Sequence, residues 1–390
     1  MNSVTLGASV IWLFVLIYAV LGSIDFGSSF WRWQFNRSGD WRAEGIASTY
    51  VSPTWELINS FLVLIPVTLV GLFPGAVFVY GSVLLIPSLL LLVLIALRGA
   101  YLQFAYASPK KRSRTVRVAG ITGLLLPGVF MSVLALSQGG YVKALPGGSG
   151  IPASSTGGAG TAAQTPHGVF SLDVIHFFTS PVVYLFIAFG ISLSLYLSAL
   201  FLARYAYLGG DLAAYESFRR KAIWMGPISL FTGVLSLVAP TPESAYMWHR
   251  LLGLWPIALF SAAAFTAGYL SLWGGQRRLS QGNPRDPHMD ASKHRDNRRK
   301  GTGRPQWALV FTLLQVIAAH WMYGAAHAGY WLYPYADFTG TASNPTMFHA
   351  TLVVLGLGTL VLIPGFLWFR RLFINNAEYA AKHSRFRETH

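Results

Sequence analysis

LLIPSLLLLVLIAL, residues Leu84–Leu97, carries no charge and is apolar on every face. A membrane-barrel strand would alternate apolar and polar residues, and a surface helix would show a polar stripe. This run does neither, so it reads as a helix embedded in a bilayer, and Leu124–Leu136 is of the same kind. The whole chain agrees. Of its 390 residues, 53% are apolar and only 11% are charged, against about 25% charged in an ordinary soluble domain. A disordered chain and a soluble two-domain enzyme are therefore excluded, and a multi-spanning membrane protein is indicated. The absence of cysteine removes disulfides, iron–sulfur clusters, Cys-ligated zinc and c-type haem attachment.

A bilayer core needs about 20 mostly apolar residues per helix. Nine stretches meet this: 7–31, 51–73, 76–104, 117–139, 174–206, 222–239, 251–273, 306–329 and 347–370. The first has no basic leader and too long an apolar run for a signal peptide, so it is read as a retained helix. Counting Arg117, Arg204 and Arg370 at the adjoining span ends, the segments after spans 1, 3, 5, 7 and 9 carry 3, 5, 4, 9 and 5 Lys and Arg. The alternate segments carry only Lys143 and Arg250. One missed or extra helix would mix these sets. The positive-inside rule then predicts an outside N-terminus and a cytoplasmic C-terminus. The net charge of +15 is a topology signal plus attraction to anionic lipid headgroups, and no nucleic-acid partner is expected.

The expected fold is thus an all-α polytopic membrane protein of nine transmembrane helices, arranged as two four-helix bundles plus one extra helix. The chain is read as one membrane domain over 1–390: a first helical half 1–145, an external Gly/Ala/Ser/Thr-rich linker 146–168, a second helical half 169–373 and a cytoplasmic tail 374–390. The basic cytoplasmic loop near 275–304 is polar and exposed. No sequence repeat relates the halves.

Ionisable groups within spans are costly, at roughly 2.5–3.5 kcal/mol each at a helix centre. Asp25, Glu56 and Arg98 stand out, all expected in the cytoplasmic half at similar depth. Tyr18, Gly22, Asp25 and Ser29 share one face of span 1, and Ser52, Glu56, Asn59 and Ser60 one face of span 2. Two readings stay open. Asp25, Glu56, Asn59 and Ser29 form a proton path from the cytoplasm, or Arg98 forms a structural ion pair with one carboxylate. Among His176, His320, His327 and His349 no spacing marks a facing haem pair, so hydrogen-bonded interior histidines are expected. Catalytic, cofactor-binding and metal-binding residues are all expected to be absent from this chain, and no phosphate loop, HExxH or GxSxG motif occurs.

Tyr18–Phe30, YAVLGSIDFGSSF, resembles the first helix of subunit II of the cytochrome bd quinol oxidases. Ser52–Phe61, SPTWELINSF, resembles that family's Pro/Trp/acid segment, with Phe73–Pro74 at its outer end. ALRGAYLQF from Ala96 resembles its arginine segment, and YPYADFTGTASNPTMF from Tyr333 its last external segment. Gly22 and Ser23 stand where the family pattern has an acid and a glycine, and Glu56 where it often has Asp, so the chain resembles a divergent branch.

The resemblance implies a multi-pass subunit in a bacterial cytoplasmic membrane, partnered with subunit I, membrane lipids and a small single-helix third subunit. It implies a complex that reduces oxygen to water with quinol and builds a proton gradient. Subunit I would bind the quinol and carry two haems b and one haem d. This chain would support subunit I and conduct protons through its acidic seam. The competing expectations are a proton-coupled secondary transporter using Asp25 and Glu56, and a purely structural helix bundle.

Overall fold

The structure is a computed structural model. It describes the backbone of residues 3–107, 112–138, 140–144, 170–239, 245–273, 304–369 and 371–372, and the side chains of these except 52–57, 105–107, 112, 144, 245, 246 and 369. The expected linker 146–168 and tail 374–390 lie outside the described residues. Helices α1 (Ser3–Ser38), α2 (Trp41–Leu72), α3 (Pro74–Val83), α4 (Leu85–Ala107) and α5 (Arg112–Ser137) come first. Strands β1 (Val142–Ala144) and β2 (Phe170–Leu172) follow. Then come α6 (Val174–Thr179), α7 (Pro181–Leu208), α8 (Leu212–Val238), α9 (Ala245–Gly253), α10 (Trp255–Ser271) and α11 (Pro305–His327). The chain closes with β3 (Tyr330–Leu332), β4 (Ala336–Asp337), α12 (Phe338–Thr341) and α13 (Pro345–Phe369).

Among the described residues, seven helices are long and apolar enough to cross a membrane, and α9–α10 make an eighth if that pair, bent by 69°, is one span. In α2 the apolar stretch Ile58–Leu72 counts only as a shorter helix. Three spans expected to be continuous are broken. The stretch 76–104 divides at Leu84, 174–206 at Ser180 and 251–273 at Leu254. A proline follows each break: Pro87, Pro181 and Pro256. Proline has no N–H to give the carbonyl four residues back, and its ring crowds that carbonyl. Ser180, directly before Pro181, is extended at ψ 123°, as the ring of a following proline demands. The two small antiparallel hairpins, β1–β2 and β3–β4, are a further departure from an all-helical fold.

The local turns repeat although the sequence shows no overall repeat. α1 and α2 are joined through Gly39 at φ 78°, and α7 and α8 through Gly210 at φ 78°. Only a residue without Cβ takes that conformation cheaply. An aspartate follows each glycine and caps the next helix: Asp40 accepts from Ala43 N–H, and Asp211 from Ala214 N–H. The two turns also clasp each other. Ser217 of α8 donates to Asp40 Oδ2 at 2.6 Å, and Arg42 of α2 lies 3.9 Å from Asp211. A second repeat follows the hairpins. Asp173 caps α6 before Pro181 opens α7, and Asp337 caps α12 before Pro345 opens α13. So α13 begins as α7 does.

Outside the helical spans, Lys143 of β1 sits 2.7 Å from Asp173. Its ammonium holds the Asp173 carboxyl below the usual carboxylate range. A carboxyl depressed on folding stabilises above its unfolded pKa, about 3.9 for Asp, and that contribution is lost as pH falls through the depressed value. Protection of the Val142–Ala144 amides, taken relative to intrinsic exchange at each pH, should therefore fall on acidification below that range. Lys143→Ala should show the lower protection already at neutral pH, and its protection should no longer change over that range.

Candidate functional site

Close helix approach creates the site. Residues Ile24–Ser29 of α1 are all buried, because small residues let two other helices press onto this segment. A Cβ on Gly27 would stand 2.1 Å from Ser198 Oγ of α7, and one on Gly123 of α5 only 2.6 Å from the Phe26 carbonyl oxygen. Trp31 Nε1 donates to Ser198 Oγ at 3.0 Å, tying α1 to α7 one turn further along. Bulk solvent is shut out of this segment.

Into this dry segment α4 sends Arg98. Arg98 Nη2 lies 2.8 Å from Asp25 Oδ2 and donates to Ser29 Oγ at 2.8 Å. The Asp25 backbone carbonyl is 3.4 Å from the same nitrogen. The guanidinium carbon sits 5.1 Å from the centre of the Phe26 ring, a cation–π arrangement. Asp25 is 1% exposed and Arg98 2%, so each is the other's nearest opposite charge in a segment shut off from solvent. The structure thus brings Asp25 and Arg98 together, and Ser29 accepts a hydrogen bond from Arg98. At the place in the second half that Asp25 holds before Asp40, Tyr196 stands before Asp211. Its hydroxyl is paired with Thr312 Oγ1 at 3.4 Å, so a neutral contact stands in the second half where the first half has Asp25 and Arg98.

Glu56 and Asn59 are carried by α2. The Glu56 side chain lies outside the described residues. Its neighbour Ile58 packs in one apolar cluster with Tyr18, Phe26, Leu94 and Leu126, so α2 runs beside the pair at this level. Asn59 is half-buried and makes no hydrogen bond to Asp25 or Arg98 among the described residues.

Sequence reasoning missed a second buried pair. Arg32 Nε lies 3.6 Å from Glu44 Oε1, with both side chains about 5% exposed or less. Arg32 reads in the sequence as a loop cation, but α1 continues to Ser38 and keeps it inside the bundle. Arg219, also grouped with the loop cations, is buried and donates through Nε to the Leu272 carbonyl at 2.7 Å. The signal was present in WRWQF, Trp31–Phe35, where large aromatics flank the arginine and extend the helix.

The histidines are held by backbone. His320 Nε2 donates to the Trp12 carbonyl at 3.0 Å, Trp12 Nε1 donates to the His320 carbonyl at 3.0 Å, and the two rings stack with centroids 4.1 Å apart. His327 Nε2 is 3.2 Å from the Trp331 carbonyl, and His349 Nδ1 is 2.6 Å from the Pro345 carbonyl. His176 lies against the Tyr141 ring. Among the described residues no group of three or more His, Cys, Asp or Glu gathers to hold a metal ion.

Comparison with known proteins agrees along the whole chain. Residues 3–373 match the family model described as cytochrome bd terminal oxidase subunit II. A Bacillus subtilis (strain 168) protein, provisionally named cytochrome bd menaquinol oxidase subunit II, is 30% identical over 372 residues, covering 95% of each chain. The structure of bd oxidase from Geobacillus thermodenitrificans contains a chain that matches with a TM-score of 0.71 and 28% identity, over 96% of this chain and 100% of that one. The match of residues 3–373 to the family model, with a 30% identical relative over 95% of each chain, places this many-span apolar bundle in the cytochrome bd terminal oxidase subunit II family.

Proposed function

We propose that this chain is the haem-free subunit of a quinol:oxygen oxidoreductase in a bacterial cytoplasmic membrane. It supports a haem-bearing subunit I and admits cytoplasmic protons along its buried acidic seam. The family match supports the complex, and the Asp25–Arg98 contact supports the seam. The haems of subunit I supply the oxygen chemistry. In this chain Asp25, held on one oxygen by Arg98, which also donates to Ser29 Oγ, marks the inner end of the route. Glu56 and Asn59 on α2 lead to it from the cytoplasm. Subunit I binds the quinol, and the name of the Bacillus subtilis relative makes menaquinol the first quinol to supply. A small single-helix subunit and tightly held lipids complete the assembly.

The same reading makes α2 the span that, with the seven long helices and the bent pair, brings the number to nine. It makes two four-helix bundles, with α13 as the extra helix. The N-terminus and the 146–168 segment then face outward, and the 280–300 segment and C-terminus face the cytoplasm. Tags at the first two positions should react with an impermeant reagent on intact cells, and tags at the other two should not. Labelling of the 146–168 segment from the cytoplasm alone would overturn the arrangement.

Oxygen uptake per haem d tests the seam. Asp25→Asn and Glu56→Gln should each assemble with full haem content and turn over more slowly, with less proton uptake from the inner side of vesicles. The closed Asp25–Arg98 contact also suits a pin between α1 and α4. Unchanged rates in both variants would leave only that packing role. Solute uptake by the chain reconstituted alone would point instead to the proton-coupled transporter.

A further inference from the structure

The Tyr18 hydroxyl, Asp25 Oδ1 and Arg98 Nε are buried, and none has a hydrogen-bond partner among the described residues. A folded protein does not leave such groups unpaired without cost, and three in one place call for a shared partner. Tyr18, Gly22 and Asp25 lie on one face of α1, all of them buried. Gly22 is the small position between the other two. The ring carbon that bears the Tyr18 hydroxyl is 3.6 Å from where a Cβ on Gly22 would stand, and Phe26 Cε2 is 3.2 Å from the same point. Phe130 closes the other side, with its ring centroid 5.2 Å from that of Tyr18 and 6.2 Å from that of Phe26. Side chains on a helix lean toward its N-terminus, so the Asp25 carboxylate leans back toward this notch.

We propose that the notch over Gly22 holds one buried water molecule, which accepts from the Tyr18 hydroxyl and donates to Asp25 Oδ1, with Arg98 Nε within its reach. A buried water typically makes about three hydrogen bonds to otherwise unpaired groups, and these three atoms supply that set between aromatic walls. Tyr18 is then a positioning residue. It fixes the water that hydrates the free oxygen of Asp25, the oxygen that Arg98 does not hold. Its bearing on turnover rests on the proton-path reading above, while the water site itself does not.

The test uses the intact complex, purified through a tag on this chain, with density maps fine enough to place waters and with oxygen uptake measured on the same samples. The native complex should show a single peak within hydrogen-bond distance of the Tyr18 hydroxyl and Asp25 Oδ1. Gly22→Ala places a methyl in the notch and should remove the peak. Tyr18→Phe keeps the ring and removes one anchor, and should also remove it. Both should turn over several-fold more slowly. A native notch with no peak, a notch filled by the Glu56 carboxyl, or a peak that persists in Gly22→Ala overturns the proposal. A peak lost as expected with turnover unchanged upholds the water site and counts against the proton path alone.

Discussion

Replacing Arg98 by Ala is expected to abolish accumulation of the folded protein. The substitution leaves Asp25 in a segment where it is 1% exposed and removes the group that holds Asp25 Oδ2, Ser29 Oγ and the Phe26 face together. Breaking a buried pair from one side costs about 3–5 kcal/mol, a large part of the roughly 5–15 kcal/mol that separates folded from unfolded protein. Arg98→Lys should recover only part of the loss. A lysine brings the charge back but not the planar group that lies over Phe26. Asp25→Asn in the Arg98→Ala background should recover more than either single change suggests, because it removes the stranded charge. Membrane yield and thermal unfolding in detergent measure all three. An Arg98→Ala protein as abundant and as heat-stable as the native one would show that the pair contributes nothing to folding.

Much of this site was legible from residue types alone. A bilayer tolerates so few charges that Asp25 and Arg98 had little choice but to meet, and the lysine and arginine pattern put them at one level. The helix breaks were not legible from the same evidence. Hydropathy measures the transfer of side chains, and 76–104, 174–206 and 251–273 stay apolar across Leu84, Ser180 and Leu254, where they break. Pro87, Pro181 and Pro256 follow these breaks, whereas Pro127, Pro227 and Pro364 sit inside continuous helices, so a proline does not by itself mark a break. Arg32 was misplaced for a related reason. It ended an apolar run, so it counted as a loop cation, whereas its partner Glu44 belongs to the next helix and allows it to stay inside. The repeated turns escaped because each rests on one glycine and one aspartate, too little for sequence comparison and enough for geometry. The apolar residues around them are interchangeable in lipid, so similarity between the halves fades while the turn chemistry stays.

Gly27→Ala is expected to give the largest effect of any single added methyl. In a bilayer no hydrophobic force drives helices together, so van der Waals fit and interhelical hydrogen bonds carry the association. At Gly27 that fit has no slack. The new Cβ would stand 2.1 Å from Ser198 Oγ and 2.5 Å from the Ser194 carbonyl oxygen. Ser198 cannot simply turn aside, because its hydroxyl accepts from Trp31 Nε1 at 3.0 Å and donates to the Ser194 carbonyl at 2.7 Å. Ser194 O belongs to the α7 backbone and cannot move alone. The helices α1 and α7 must therefore part, at a cost of at least about 1–3 kcal/mol for overpacking, and the Trp31 and Ser194 hydrogen bonds to the facing helix are strained with them. Gly81→Ala in α3 is the control, since nothing lies within 4 Å of its added methyl. That change should be neutral or stabilising by about 0.4–1 kcal/mol, through the entropy of the unfolded chain. The same chemical edit thus acts in opposite directions at two helical glycines. Ser198→Ala combined with Gly27→Ala should restore only part of the loss, because the carbonyl of Ser194 still blocks the methyl. If Gly27→Ala unfolds at the native temperature, α1 and α7 are free to separate. The segment from Asp25 to Ser29 would then owe its burial to α2, α4 and α5.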